Sequence, residues 1–308
     1  MRLVRNVILV ISLLGINLVY GVEGTYYDKE RGRNIEYLLI FPDKATGKPP
    51  LVVVSHGNSG SYPDFKWLTE ALVENGFAVL ALNHPFNTAR NNTPKGVFRI
   101  WDRPKDVSRL LDNIQNNQTE ASKFDSNRIG IAGFSAGAYT GLALVGATID
   151  LHKQQEFCEQ SRIDPVCVLL DKEMFQDNMN ADANESFKDE RIKAVYAMAP
   201  AMGTAARISS LQGITAPVFI TAAQDDTFLD PNLHARQYAG NIPGAQLSMV
   251  ASGGHFVFLR CSLFMHGIQL VDEFADKFDL CGHNTNVVRD NVWREVAKSA
   301  VVFFQKSL

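Results

Sequence analysis

Residues 133–137 read Gly133-Phe134-Ser135-Ala136-Gly137, a serine with a glycine two positions away on each side. The pentapeptide follows an apolar run at 128–132 and precedes small and apolar residues at 136–146. A serine at such a strand-to-helix turn is held in a strained backbone conformation that exposes its hydroxyl. The adjoining helix N-terminus favours developing negative charge at that point. This prepares nucleophilic attack on a carbonyl, with Ser135 as the nucleophile. The alternative is a glycine-rich turn capped by Ser135, and the flanking strand and helix patterns count against it.

A serine hydroxyl is a weak nucleophile and requires a base, which an acid in turn orients. On a sheet that presents its serine this way, the acid and then the histidine follow along the chain. Residues 217–222 form an apolar run leading into Gln224-Asp225-Asp226-Thr227. Past the next run, 246–250, Gly253-Gly254-His255 sets an imidazole on a flexible loop. Both lie beyond strand ends, the edge at which open α/β sheets bind ligands. Asp225 is preferred to Asp226 as the acid, because it stands three residues after Ala222, where the run ends. His84 follows an apolar run at 77–82 but precedes the serine, which assigns it to the pocket lining. His234 reads as a surface residue in a helix after Pro231, and His152, His266 and His283 have no strand ahead of them.

An oxyanion needs two backbone N–H donors. Ala136, directly after the nucleophile, supplies one. The other is expected from His56-Gly57-Asn58-Ser59-Gly60, with Asn58 as donor and His56 tethering the loop. The chain has no His-Glu-x-x-His, no clustered acid motif and no dinucleotide fingerprint, so neither a metal nor a cofactor is expected.

Holding these groups together requires strands that end at one edge. Runs at 35–41, 51–55, 77–82, 128–132, 192–198, 217–222 and 246–250 read as strands. The nearly unbroken Leu51-Val52-Val53-Val54 suits a strand buried on both faces of a parallel sheet. Helical spacing appears at 64–75 (Phe65, Leu68, Leu72), and Pro104 opens a second helix with Val107, Leu110, Leu111 and Ile114 on one face. Val288, Val292, Val296, Ala300 and Phe303 mark a closing amphipathic helix. Strand–helix alternation predicts an α/β fold, a three-layer sandwich around a mostly parallel central sheet. Residues 148–190 break the rhythm: the stretch is polar, carries Cys158 and Cys167, and has no strand-like run. It reads as a small inserted cap, too short for a core of its own.

Of the 308 residues, 46% are apolar and 20% charged, the balance of a globular chain. Net charge is −3 without a Lys/Arg-rich run, which argues against a nucleic-acid partner. Arg2 and Arg5 precede an apolar stretch at 7–19 broken only by Ser12 and Asn17, and Val19 and Gly21 suit the −3 and −1 positions of a cleavage site. Residues 1–21 therefore read as a secretory signal peptide and 22–308 as the mature hydrolytic domain. The apolar stretch is short of the roughly 20 residues that span a bilayer, so no stable membrane span is expected after cleavage. Cleavage removes two arginines and no acid, which moves the charge from −3 to −5. A secreted or periplasmic location would oxidise the four cysteines. They allow three pairings, and the local ones, Cys158 with Cys167 and Cys261 with Cys281, are preferred because each closes a short loop.

Together these residues resemble the serine-dependent α/β-hydrolases of the dienelactone-hydrolase-like group, relatives of platelet-activating-factor acetylhydrolase among them. The pieces that carry the resemblance are Val54-Ser55-His56-Gly57, Asn83-His84-Pro85, Asp102-Arg103-Pro104-Lys105-Asp106-Val107, the Ser135 turn, Asp225 and Gly254-His255-Phe256. The resemblance implies the α/β-hydrolase fold and cofactor-free hydrolysis of a small-molecule or lipid ester, and it supports the local cysteine pairing. True dienelactone hydrolases carry a cysteine nucleophile where this chain has Ser135, so the lactone substrate is not carried over. The expected reaction is cleavage of a carboxylic ester through an acyl-enzyme. The rival readings are a lipase or phospholipase, for which Phe256-Val257-Phe258-Leu259 reads either as the lining of an acyl pocket or equally as a core strand or helix edge, an acyltransferase, and a binding protein without catalysis.

Overall fold

The computed structural model describes residues 6–10, 19–43, 47–161, 167, 175, 182–259 and 286–308. Its strands are β1 (Asn6–Val10), β2 (Val19–Asp28), β3 (Arg33–Phe41), β4 (Pro50–Ser55), β5 (Ala78–Leu82), β6 (Asp125–Phe134), β7 (Ile192–Met198), β8 (Val218–Ala223) and β9 (Gln246–Val250). They form one sheet in the order β1-β2-β3-β5-β4-β6-β7-β8-β9. Pairing is antiparallel from β1 to β5 and parallel from β5 to β9. Principal helices are α1 (Lys66–Glu74), α2 (Asp102–Asn116), α3 (Ala136–Leu144), α4 (Leu151–Gln160), α5 (Ala235–Asn241) and α6 (Asn286–Ser307).

Successive side chains of a strand point to opposite faces, and in the central strands both faces are apolar. Leu51 and Val53 of β4 join Leu80 and Ile131 in a core covered by Leu110 of α2, Leu142 of α3 and Tyr238 of α5. Val52 and Val54 join Val79 and Ala132 in a second core under Leu68 and Leu72 of α1 and Val296, Ala300 and Phe304 of α6. Helices on both faces of a mostly parallel sheet make the expected three-layer α/β-hydrolase fold. Each of these buried side chains contributes about 1.5–3 kcal/mol, which holds the sheet that carries the functional groups in place from both faces.

Several elements depart from the sequence expectation. The helix at 64–75 divides into a 3₁₀ turn, Tyr62–Phe65, and α1. Strand β8 runs to Ala223, one residue beyond the apolar run read from the sequence. Strand β2 overlaps the end of the leader reading and pairs with β3 along nine positions, Tyr20 to Asp28. Residues 6–10, inside the leader reading, lie along β2 as the outer strand.

Between α3 and β7 the described residues include α4 and a 3₁₀ turn at Asp182–Asn184. A disulfide joins Cys158 to Cys167, the local pairing expected in this insertion. The other expected pair, Cys261 with Cys281, lies outside the described residues. Asp182 ties the insertion to the main body: it accepts from Trp101 Nε1 at 3.1 Å and Arg99 Nη2 at 3.2 Å, and pairs with Lys105. Phe175 stands edge-on to Phe98 at 5.2 Å.

Candidate active site

Ser135 occupies the turn between β6 and α3 with φ 54° and ψ −115°. A non-glycine residue with positive φ is strained and persists only where its surroundings hold it. Here the Ser135 N–H donates to the Met198 carbonyl at the end of β7 (2.9 Å), and the Ser135 carbonyl accepts from Ala201 (3.2 Å). The flanking glycines are demanded by close approach. A Cβ on Gly133 would lie 2.1 Å from the Gly137 carbonyl oxygen, and one on Gly137 would lie 2.0 Å from that of Ser55.

His255 opens a 3₁₀ turn, His255–Phe258, just after β9. Its Nε2 lies 3.1 Å from Ser135 Oγ, and its Nδ1 lies 2.8 Å from Asp226 Oδ2. The imidazole sits among the rings of Phe134, Phe228 and Phe256, with centroids 4.8, 4.9 and 5.0 Å away. All three polar groups are buried. With Nδ1 donating to the carboxylate, Nε2 is left to accept the serine proton. This arrangement can activate Ser135 for attack on a carbonyl.

The carboxylate at His255 is thus Asp226, and the expectation of Asp225 is corrected. Because β8 continues to Ala223, the following turn places Asp226 inward and leaves Asp225 exposed. The second carboxylate oxygen of Asp226 accepts the N–H groups of Phe228 (3.0 Å) and Leu229 (2.7 Å), which aims Oδ2 at the imidazole. An offset of one residue at a strand end is all that separates the two readings.

The loop after β4 passes beside the serine: a Cβ on Gly57 would lie 3.4 Å from Ser135 Cβ. His56 Nδ1 donates to the Gly57 carbonyl at 2.6 Å, and its Nε2 accepts from the His84 N–H at 3.1 Å. Asn87 accepts from the Ser59 N–H at 2.8 Å and donates to the Asn58 side-chain oxygen at 2.8 Å. Ala136 is the first residue of α3, where a helical N–H has no partner within its own helix.

Beneath this loop lies a polar network that the sequence reading did not assemble. His84 bridges Ser55 Oγ (2.9 Å) and Asp106 Oδ2 (3.0 Å), and Arg33 clasps the same carboxylate with two bonds of 2.7 Å. Arg103 donates to the His56 and Gly57 carbonyls. His84 is therefore fully buried beneath the loop and hydrogen-bonded there, where the sequence assigned it to the pocket lining. Burial and the Arg103 charge lower its pKa to about 3, against the pull of Asp106. Burial by itself would raise the Asp106 pKa, but its bonds to His84 and Arg33 outweigh that and hold it well below the usual carboxylate range. The signal lay in the two motifs Asn83-His84-Pro85 and Asp102-Arg103-Pro104-Lys105-Asp106, which meet here.

Two further expectations change. His234 is buried, not on the surface, and its Nδ1 accepts from the Gly203 N–H at 3.1 Å. Val257 and Phe258 belong to the core under α1 and α6, so they do not form an acyl pocket. His152 is exposed, while His266 and His283 fall outside the described residues. Among the described residues no group of His, Cys, Asp and Glu is arranged to hold a metal ion, and no helix is long and apolar enough to cross a membrane.

The BD-FAE family model matches residues 39–231, which include Ser135 and Asp226. A ferulic acid esterase from Streptomyces cinnamoneus superimposes with a TM-score of 0.61 at 17% identity, over 94% of this chain and 88% of that one. A dienelactone hydrolase from Anabaena variabilis gives 0.50 at 15% identity, over 84% and 97% of the two chains. At these identities the likeness establishes the shared α/β-hydrolase fold. No curated protein matches the chain by sequence.

Proposed function

The chain belongs to the BD-FAE family, and from that premise we propose that it is a serine esterase cleaving carboxylic esters through an acyl-enzyme. The observation that carries this reading is the line of Ser135 Oγ, His255 Nε2 and Nδ1, and Asp226 Oδ2, with separations of 3.1 and 2.8 Å. Ser135 Oγ attacks the ester carbonyl while His255 Nε2 takes its proton. Asp226 holds the ring in the required tautomer and stabilises the imidazolium. The N–H groups of Ala136 and Asn58 receive the oxyanion. The imidazolium then protonates the departing alkoxide, leaving the acyl group on Ser135. Water, deprotonated by His255, attacks that acyl group and releases the acid with Ser135 restored.

The likeness to a ferulic acid esterase makes an ester of an aromatic acid the first substrate to test. The reading extends to export, with residues 1–21 as a cleaved leader. The leader-like layout and the Cys158–Cys167 disulfide support this. N-terminal sequencing of exported protein should begin at Val22.

The deciding experiment compares the full protein with Ser135→Ala on methyl ferulate and on p-nitrophenyl esters of increasing chain length. Turnover should fall by several orders of magnitude in the variant while its fold persists. A fluorophosphonate should label Ser135 in the parent protein. Undiminished turnover in purified Ser135→Ala, or a parent protein inert to every ester, would overturn the reading.

A further inference from the structure

His255 stands on a four-residue 3₁₀ turn, flanked by backbone bonds from Val257 to the Gly254 carbonyl and from Leu259 to the Phe256 carbonyl, both at 3.1 Å. The last carbonyls of such a turn have no partner within it, and a carbonyl oxygen can accept a second bond. Side chains from two helices supply them. Arg289 Nη1, on α6, donates to the carbonyls of Phe256 and Leu259, both at 2.5 Å. Trp293 Nε1, one helical turn further on, donates to that of Val257 at 2.9 Å. Trp67 Nε1, on α1, donates to that of Phe258 at 3.3 Å. Every carbonyl from 256 to 259 therefore receives a side-chain N–H.

The donors are themselves braced. The Trp67 and Trp293 indoles stack with centroids 5.6 Å apart and planes within 5°. Val292, Val296 and Ala300 bury the same helix against the second core, and Arg289 is itself buried. Acid-side contact alone does not fix the imidazole, because Asp226 bonds only Nδ1. Its height above Ser135 depends on where the backbone of the turn sits.

We infer that Arg289 and Trp293, with Trp67 behind them, are positioning residues that set the distance between His255 Nε2 and Ser135 Oγ by holding the turn's carbonyls. This rests on the esterase reading only for its consequence in turnover; the positioning itself is a property of the folded protein. A misplacement of about 1 Å at reacting atoms can cost about 10²-fold in rate. The effect falls on the chemical step, because none of the three side chains needs to meet the substrate.

The test uses the full-length protein with Trp293→Phe, which keeps an aromatic ring for the stack but removes the indole N–H together with part of the ring, and with Arg289→Met and Arg289→Lys. Trp293→Phe should lower kcat about tenfold and Arg289→Met about a hundredfold, with KM held within about twofold. Arg289→Lys should recover most of the loss. The proton shared by His255 Nδ1 and Asp226, assigned by its disappearance in Asp226→Asn, should shift or broaden in the NMR spectra of Trp293→Phe and Arg289→Met. Should Arg289→Met fail to fold, Trp293→Phe decides alone. An unchanged kcat, a change confined to KM, or an unchanged proton signal in Trp293→Phe overturns the inference. If the parent protein hydrolyses no ester yet that signal moves, the positioning stands and the esterase reading falls.

Discussion

Asp226 Oδ2 lies 2.8 Å from His255 Nδ1, while Asp225, its immediate neighbour, is exposed. The carboxylate is fixed from its other side by the N–H groups of Phe228 and Leu229, so it reaches the imidazole without rearrangement. Asparagine at 226 would keep the shape and remove the charge that stabilises the imidazolium. Asp226→Asn should therefore lower kcat by about 10³–10⁴-fold, and Asp225→Asn by less than about threefold, in steady-state kinetics on one ester. Equal losses in the two variants would refute the assignment.

At Gly137, as at Gly133, an added methyl group has nowhere to go. A Cβ on Gly137 would stand 2.0 Å from the Ser55 carbonyl oxygen, which belongs to a central strand and cannot yield. Gly137→Ala should cost at least about 2–3 kcal/mol in urea denaturation and reduce the fraction of Ser135 that reacts with a fluorophosphonate. A variant of parental stability would show that the turn is looser than these distances require.

Acid should destabilise the fold from pH 6.5 downward. Burial, then the neighbouring Arg103, lowers the pKa of His84 to about 3. Burial also lowers that of His234 to about 4 and, with Arg103 and His84, holds His56 well below 6.5. Unfolded, each ring has a pKa near 6.5. Between pH 6.5 and about 4 the unfolded chain therefore binds more protons than the folded one, and stability falls as pH falls. Each imidazole contributes a slope of up to about 1.4 kcal/mol per pH unit in that window and none above it. Urea midpoints measured from pH 4 to 8 should show this decline, and His84→Gln should flatten part of it. Midpoints independent of pH below 6.5 would contradict the buried, neutral assignment of these rings.

The Cys158–Cys167 disulfide closes a short loop in the insertion between α3 and β7. Bridges of this size stabilise by up to about 3 kcal/mol through the unfolded chain. Replacing both cysteines by serine should make the insertion a preferred site of limited tryptic cleavage. The sheet should keep its cooperative unfolding, because its core lies elsewhere. Cleavage patterns identical to the parent protein's would mean that Asp182 and Phe175 anchor the insertion without the bridge.

Much of the architecture was legible because it rests on periodicity. The unbroken apolar run of β4 admits one placement, between two cores, and the three-to-four-residue spacing of Val292, Val296 and Ala300 lays one face of α6 on the second of them. Strand β2 was obscured because its first residues overlap a stretch that also reads as a leader. Its pairing with β3 depends on hydrogen bonds between backbones, which leave little trace in side-chain type.

Ser135 and His255 could be singled out from sequence because local chain geometry announces them: glycines that relieve a strained turn, and a histidine just past a strand end. The choice between Asp225 and Asp226 could not, since it turns on whether β8 ends at Ala222 or Ala223. One residue reverses which side chain faces inward. The contacts of Ser55, His84 and Asp106, and those of Trp67, Arg289 and Trp293 with the turn after His255, link positions from 22 to 191 residues apart. Spacing along a chain does not by itself show which distant motifs meet. They exist because the faces of one sheet must be covered, and covering them brings elements distant in the chain within hydrogen-bonding reach of one another.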